Sequence, residues 1–106
     1  MTYPQVVPMI PGVLEEPLKP DRARRLIREI LERGQTTFSR HAEEELADDG
    51  LSTLDAVNVL RAGTVDPAEF EKGCWRYRVR TPRMVVVIAF RSATEIRVVT
   101  AWREKR

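Results

Sequence analysis

The stretch CWRYRVRTPRMVVVIAFRSATEIRVVTAWR, residues 74–103, decides the fold. Polar and apolar side chains alternate along it, and the alternation breaks at Thr81-Pro82 and again at residues 92–94. A period of two indicates β-strands, and connections this short join antiparallel neighbours. The stretch therefore predicts three antiparallel strands, over 74–80, 83–91 and 95–102. Residues 64–70 form a weaker candidate for a fourth strand, because Pro67 cannot donate a ladder hydrogen bond.

The same alternation assigns side chains to the two faces of the sheet, since successive residues of a strand point to opposite sides. One face is large and apolar, as a face covered by helices would be. It is predicted to carry Trp75, Tyr77, Val86, Ile88 and Trp102. The opposite face is predicted to carry Arg76, Arg78, Arg80, Arg83, Arg97 and Arg103.

Upstream of the strands the apolar period is close to four, which is typical of helices. Asp21 is placed as the N-cap of a helix over 22–33 that ends before Gly34. A second helix follows Ser39 and ends before Gly50, and a third opens on a capping-box-like Ser52 and ends before Gly63.

Residues 1–20 contain five prolines and are predicted to form an arm, with a short edge strand at Gln5–Val7. The predicted fold class is α+β. Two to three N-terminal helices pack on one face of a three- to four-stranded antiparallel sheet, in one domain over residues 21–106.

Charge is divided unevenly along the chain, although the net charge is only +2. Residues 1–71 hold eight Lys or Arg and fourteen Asp or Glu, a net −6, whereas residues 72–106 hold ten and two, a net +8. A basic half beside an acidic half favours an anionic partner on one side of the molecule.

Composition narrows the class of protein. With 42% hydrophobic and 32% charged residues, the chain of 106 residues matches one globular domain rather than a disordered segment. The longest apolar run, 84–90, is far shorter than the roughly 20 residues of a membrane span. Prolines interrupt the start, so no secretory leader is expected. Cys74 is the single cysteine and no metal-ligand spacing occurs, so we expect a cytoplasmic protein without metal or cofactor.

The arginines admit two interpretations. Their planar guanidinium groups suit phosphate oxygens, so several on one sheet face would bind a polyanion. A solvated sheet face also needs polar residues, but such a face usually mixes both signs of charge, and Glu95 is the one acid inside the three strands. The pattern favours an anion-binding surface, with Trp75 and Tyr77 either stacking bases or packing in the core.

His41 is the only histidine and the natural general acid or base, although a histidine in a first helical turn can also simply pack or cap. Cys74 is interpreted as a small hydrophobic residue rather than a nucleophile.

Three segments carry a resemblance to a known family. GCWRYRVR at 73–80, RMVV at 83–86 and VVTAWR at 98–103 resemble the C-terminal half of RelE/BrnT-like toxins. FSRHA at 38–42, followed by Gly50-Leu51-Ser52, resembles related small domains that open with a His-Ala helix. One departure is that Glu45 and Asp49 occupy positions where those relatives carry basic residues.

The resemblance implies a ribonuclease that needs no metal. In such toxins a basic sheet face binds mRNA, and the RNA 2′-hydroxyl attacks the adjacent phosphate. Carried over by position, Arg78 and Arg83 would hold the phosphate and Arg103 would stabilise its growing charge, with His41 as the candidate acid or base. Arg76, Arg80 and Arg97 would bind the rest of the RNA.

The sequence therefore predicts the endoribonuclease toxin of a type II toxin–antitoxin system. Its expected partners are mRNA, on or off the ribosome, and a cognate antitoxin protein. Two alternatives stay open. One is a non-catalytic module that binds nucleic acid or protein through the same arginines, and the other is a regulatory protein that docks through its acidic second helix.

Overall fold

The fold is known from a computed structural model, which describes residues 14–104. It is α+β, as the sequence predicts. The elements, in chain order, are α1 (Pro20–Arg33), β1 (Gln35–Phe38), α2 (Arg40–Asp48), α3 (Thr53–Ala62), β2 (Thr64–Val65), β3 (Glu69–Glu71), β4 (Cys74–Arg80), β5 (Met84–Ser92) and β6 (Glu95–Arg103).

The three predicted strands are confirmed as β4, β5 and β6, an antiparallel meander at the centre of the sheet. The sheet is larger than predicted and is not purely antiparallel. Its order is β1-β6-β5-β4-β2, with β3 also paired to β4, and β1 runs parallel to β6. The prediction of three to four antiparallel strands is wrong in this respect, because β1 was missed and the 64–70 candidate is divided into two short strands.

The divided strand lies along one edge of β4. Thr64 and Val65 pair with Arg80 and Val79, and after an interruption that contains Pro67, residues 69–71 pair with 74–76. Pro67 thus falls where no ladder bond is needed. Lys72 and Gly73 connect β3 to β4 with φ of 50° and 83°. Two successive positive φ values define the two-residue hairpin turn that matches strand twist.

All three predicted helices are present, and two of the caps are confirmed. The Ser39 hydroxyl accepts a hydrogen bond from the Ala42 N–H at 3.0 Å, and Ser52 forms a reciprocal capping box with Asp55. The N-cap predicted at Asp21 is wrong: α1 begins at Pro20 with Lys19 as its N-cap. Proline suits the first helical position because its missing N–H has no helical partner there.

The hydrophobic core lies between the helices and one face of the sheet. Side chains from α1 and α3 join the apolar face of the meander in one continuous cluster. Its fully buried members include Ile27, Ile30, Leu60, Tyr77, Val79, Val86, Ile88, Ile96 and Val98.

The described end of the proline-rich segment belongs to this core. Leu14 and Leu18 pack against it. The Tyr77 hydroxyl accepts a hydrogen bond from the Leu18 N–H and donates one to the Glu16 carboxylate, both at 2.9 Å. Burial raises the pKa of Tyr77 to about 12. The strand predicted at Gln5–Val7 lies outside the described residues.

Helix α2 follows the edge of β6 beyond the point where β1 ends. The Glu45 carboxylate accepts from the Ala101 N–H at 3.3 Å, and the Asp49 carboxylate accepts from the Arg103 N–H at 2.9 Å. Four residues of helix advance about 6 Å and two residues of strand about 6.6 Å. The two acids therefore match the repeat of the strand's outward N–H groups, which explains acidic residues at both positions.

A β-bulge in β6 reverses the predicted faces of its last third. Val87 pairs with Thr100 but Ile88 pairs with Val98, so Val99 is an extra residue without a partner in β5. Beyond the bulge, Ala101 is fully buried in the core and Trp102 pairs with Val85 on the opposite face. The predicted faces of Trp102 and Arg103 are therefore wrong.

Candidate nucleic-acid interface

The uncovered face of the sheet carries four arginines, which together we call the arginine face: Arg76, Arg78, Arg80 and Arg97. The first three alternate along β4 with the buried Tyr77 and Val79. Arg97 pairs with Ala89 on β5 and donates to the Thr37 hydroxyl at 3.4 Å. The prediction that these four share a face is confirmed.

A depression of about 130 Å³ lies in the arginine face. We call it the arginine pocket. Its walls combine basic, acidic and apolar side chains from β4, β5, β6 and the edge strand. They are Asp66, Pro67, Glu69, Glu71, Arg76, Arg78, Val87, Thr100 and Trp102.

The edge strand supplies an acid to each arginine of β4. Arg80 Nε lies 3.0 Å from an Asp66 oxygen, Arg76 lies 3.8 Å from Glu71, and Arg78 lies 4.0 Å from Glu69. None of these acids belongs to the three central strands: Glu69 and Glu71 lie on β3, and Asp66 follows β2. The side chains of Arg78 and Glu69 are about half exposed or more, and such pairs contribute little and exchange readily with other anions.

Arg76 differs from its neighbours in burial. Its side chain is 19% exposed, against 47% for Arg78. Within residues 14–104 its Nε–H is buried and has no hydrogen-bond acceptor. Buried donors in proteins nearly always have a partner, so this Nε–H is an exception among the described residues.

One row of residues connects the arginine face to His41. Arg78 pairs with Val87, and Val87 with Thr100 on the next strand. The Thr100 hydroxyl donates to one oxygen of Glu45, whose other oxygen lies 3.3 Å from Nε2 of His41. His41 itself is 67% exposed. The histidine is thus held at the rim of the arginine face by a carboxylate that Thr100 and the Ala101 N–H fix in place.

Trp102 adds an aromatic ring to the arginine face. The guanidinium carbon of Arg78 lies 5.8 Å from the ring centroid, within range of a cation–π contact. Trp75, by contrast, packs against the core and meets Phe70 edge-on, with the ring centroids 5.1 Å apart. Tyr77 is fully buried. The sequence suggested Trp75 and Tyr77 as candidates for base stacking, but the aromatic residue on the arginine face is Trp102.

Arg83 and Arg103 lie elsewhere. Arg103 pairs with the buried Met84, so it belongs to the face of the sheet that carries the core. Its guanidinium donates to the Asp49 carbonyl at 2.9 Å. Arg83 precedes β5 and lines a groove with Arg103 beside α3 and the turn before it. The prediction that Arg78 and Arg103 share a face is therefore wrong, which argues against the three-arginine phosphate site suggested by the resemblance.

Cys74 is a free, half-buried thiol at the start of β4. Among residues 14–104, no group of three or more His, Cys, Asp or Glu side chains is arranged to hold a metal ion. No helix in the same range is long and apolar enough to cross a membrane.

Comparison with known proteins gives one match. The model of a family described as a domain of unknown function, DUF4258, matches residues 38–103. The matched region begins just before α2 and includes the whole arginine face, His41 and Glu45. No curated protein and no solved structure matches the chain significantly.

Proposed function

The chain belongs to the DUF4258 family of domains of unknown function, and we propose that this member binds RNA on its arginine face and cleaves it without a metal. We further propose that it is a RelE/BrnT-like toxin that acts in the cytoplasm on mRNA and is held by a cognate antitoxin. The four arginines support RNA binding, because clustered guanidinium groups contact phosphates and release counterions.

The observation that carries cleavage is the row from Arg78 through Val87 and Thr100 to Glu45 and His41. A ribonuclease needs a cation to stabilise the charged phosphorane and a base near the 2′-hydroxyl. The row offers a candidate for each role, Arg78 for the cation and His41 for the base, on residues that are distant in the chain.

The chemistry follows from these groups. His41 takes the proton of the 2′-hydroxyl while the 2′-oxygen bonds to phosphorus, and the bond from phosphorus to the 5′-oxygen breaks. The leaving 5′-oxygen takes a proton from His41 or water. The products are a 2′,3′-cyclic phosphate and a 5′-hydroxyl. Glu45 orients His41, whose Nε2 lies 3.3 Å from a Glu45 carboxylate oxygen.

Arg76 and Arg78 replace Arg83 and Arg103 as the phosphate ligands in this proposal. Arg76 and Arg78 both line the arginine pocket, and their acidic partners Glu71 and Glu69 lie 3.8 and 4.0 Å away. A phosphate oxygen in the pocket would accept from Arg76 and displace Glu69 and Glu71. Preorganised guanidinium groups stabilise charge that develops in the transition state without reorganising.

A second candidate function is supported by the same acids. Because Asp66, Glu69 and Glu71 already face the arginines of β4, the face resembles one that binds and releases an anionic partner without chemistry. On this alternative the chain is a non-catalytic binding module for nucleic acid or for an acidic protein segment, and His41 has no catalytic role.

Cleavage of a labelled single-stranded RNA tests the proposal. The wild type should yield 2′,3′-cyclic phosphate ends, and an RNA with a single 2′-deoxy substitution at the cut should resist cleavage there. His41→Ala should lower the rate by roughly 10²- to 10⁴-fold, with RNA affinity unchanged. Glu44→Ala, on the same helix with an exposed side chain, is the matched control and should cleave normally.

The outcomes separate the two candidates. RNA binding without cleavage, alone or with ribosomes, and without growth arrest on expression would contradict the ribonuclease and support the binding module. Absence of RNA binding would contradict both forms of the RNA proposal.

A further inference from the structure

We infer that Trp102 is a stacking platform for one RNA base, and that the arginine face is therefore selective for single-stranded RNA over duplex RNA. The inference rests on the proposed RNA binding and specifies which form of RNA the site accepts.

The bulge at Val99 is what places Trp102 for this purpose. A regular β6 would direct the ring of residue 102 into the core, where Ala101 now lies fully buried. Instead Trp102 pairs with Val85 on the arginine face, beside Arg78, and forms part of the wall of the arginine pocket. A half-exposed tryptophan next to guanidinium groups offers a base an aromatic surface within reach of its own phosphate.

The charges on the two sides of Trp102 indicate where the sugar–phosphate backbone of the RNA would lie. On one side lie Arg76 and Arg78 in the arginine pocket, which also holds Asp66 and the exposed carboxylates of Glu69 and Glu71 that a phosphate would displace. On the other side the ring borders a second depression, in which one guanidinium, that of Arg103, is outnumbered by four carboxylates, those of Glu45, Asp48, Asp49 and Glu104. Those carboxylates repel phosphate. The sugar–phosphate backbone should therefore run along the arginines, with the base lying over the ring toward α2.

Only an unpaired base can take this position. In an A-form duplex the bases are stacked on each other and their faces are not accessible, so proteins contact such duplexes through phosphates and 2′-hydroxyls. A single strand can splay one base onto an aromatic ring while its phosphate meets Arg76. Duplex RNA would keep the phosphate contacts and lose the stacking.

The experiment uses Trp75→Phe protein, in which Trp102 is the single tryptophan. The probe is a labelled 2′-O-methyl RNA, single-stranded or annealed to its complement, since it has no free 2′-hydroxyl to attack. Label anisotropy measures binding and tryptophan fluorescence reports stacking. We expect saturable quenching by the single strand, and weaker binding of the duplex with little quenching.

Substitutions complete the test. In the full chain, Trp102→Ala should weaken single-strand binding by roughly 5- to 150-fold and Trp102→Phe by much less, because a phenyl ring still stacks. Phe70→Ala is the matched control: Phe70 is 59% exposed but pairs with Trp75, off the arginine face, and its loss should not change binding. Thermal unfolding checks that each variant is folded.

Each result decides between the two claims. If the single strand binds without quenching, if Trp102→Ala binds as the wild type does, or if duplex and single strand bind equally, the inference is wrong while RNA binding stands. If no RNA binds to the wild type, the proposed function fails and the inference fails with it.

Discussion

The two faces of the central sheet are built from the same three strands, but one is covered by helices and the other is open. The covered face holds Tyr77, Val86 and Ile88, all fully buried, and joins the helices in one core. The open face holds the arginines between small apolar residues. Along β4, strict alternation predicts the face of every side chain. In β6 one extra residue, Val99, moves the side chains that follow it to the face opposite the predicted one.

The largest effect should come from placing a positive charge at Ala101, on the core face, and it should be absent at Trp102, on the open face. Ala101→Lys would bury an ammonium group in the core, which costs several kcal/mol and approaches the whole stability of a small domain. We expect it to unfold the protein, as seen by circular dichroism. Trp102→Lys, one residue later, should fold. The opposite outcome would mean that β6 has no bulge at Val99.

The next effect separates the two groups of arginines. Arg78→Ala should lower the RNA cleavage rate by about 10²- to 10³-fold, because it removes one preorganised charge from the transition state. Arg103→Ala should change the rate less than about threefold, since Arg103 lies off the arginine face. Single-turnover kinetics measure both. Equal losses would restore the three-arginine phosphate site and contradict the proposed assignment.

The covered face should show its own signature at high pH. Burial raises the pKa of Tyr77 to about 12 in the folded state, against 10 in the unfolded chain. The Tyr77 hydroxyl therefore stays protonated to a higher pH in the folded state than in the unfolded chain. The free energy of unfolding keeps its full value below pH 10 and decreases as the pH rises toward 12. The loss amounts to about 2–3 kcal/mol.

Tyr77→Phe tests this contribution. The variant should be less stable by about 1–2 kcal/mol at neutral pH, because the Leu18 N–H loses its acceptor. Between pH 10 and 12 its free energy of unfolding should fall less steeply than that of the wild type. Urea titrations at several pH values measure the difference. Parallel curves for the two proteins would show that the Tyr77 hydroxyl is not protected in the folded state.

The smallest effect concerns the acids beside the open face. The double variant Glu69→Gln/Glu71→Gln should bind RNA roughly two- to tenfold more tightly, since exposed pairs are worth only about 0.2–1 kcal/mol each. Glu29→Gln/Glu32→Gln makes the same change in net charge on exposed residues of α1, and it serves as the control in the same anisotropy assay. An equal gain in both variants would show that net charge, and not competition at Arg76 and Arg78, is responsible.

Local chemistry in the sequence predicted much of this fold. Ser39 and Ser52 predict the starts of two helices as their N-caps, and the alternation over residues 74–103 predicts the meander. Strand β1 was missed because QTTF is too short to show a period, and its parallel partner lies about 60 residues further along the chain. Such non-local pairing leaves no turn signal near the strand.

The candidate site was predicted in part, for a related reason. Arg76, Arg78, Arg80 and Arg97 follow from alternation alone. The bulge does not, because Val98-Val99-Thr100 contains no glycine to mark it, and Ser39 contacts the bulge from 60 residues away by donating to the Val99 carbonyl at 3.0 Å. The connection of His41 to the sheet through Glu45 likewise depends on how α2 lies against β6, which no local pattern encodes.

The match between Glu45, Asp49 and the edge of β6 has a consequence for how the molecule behaves among its own copies. An uncovered strand edge pairs with the edge of another chain and seeds aggregation. Here two carboxylates, Glu45 on α2 and Asp49 at its C-cap, accept hydrogen bonds from the N–H groups of Ala101 and Arg103, as a neighbouring strand would. These two acids therefore keep this part of β6 from pairing with the edge of a second molecule, so their positions bear on aggregation as well as on the fold.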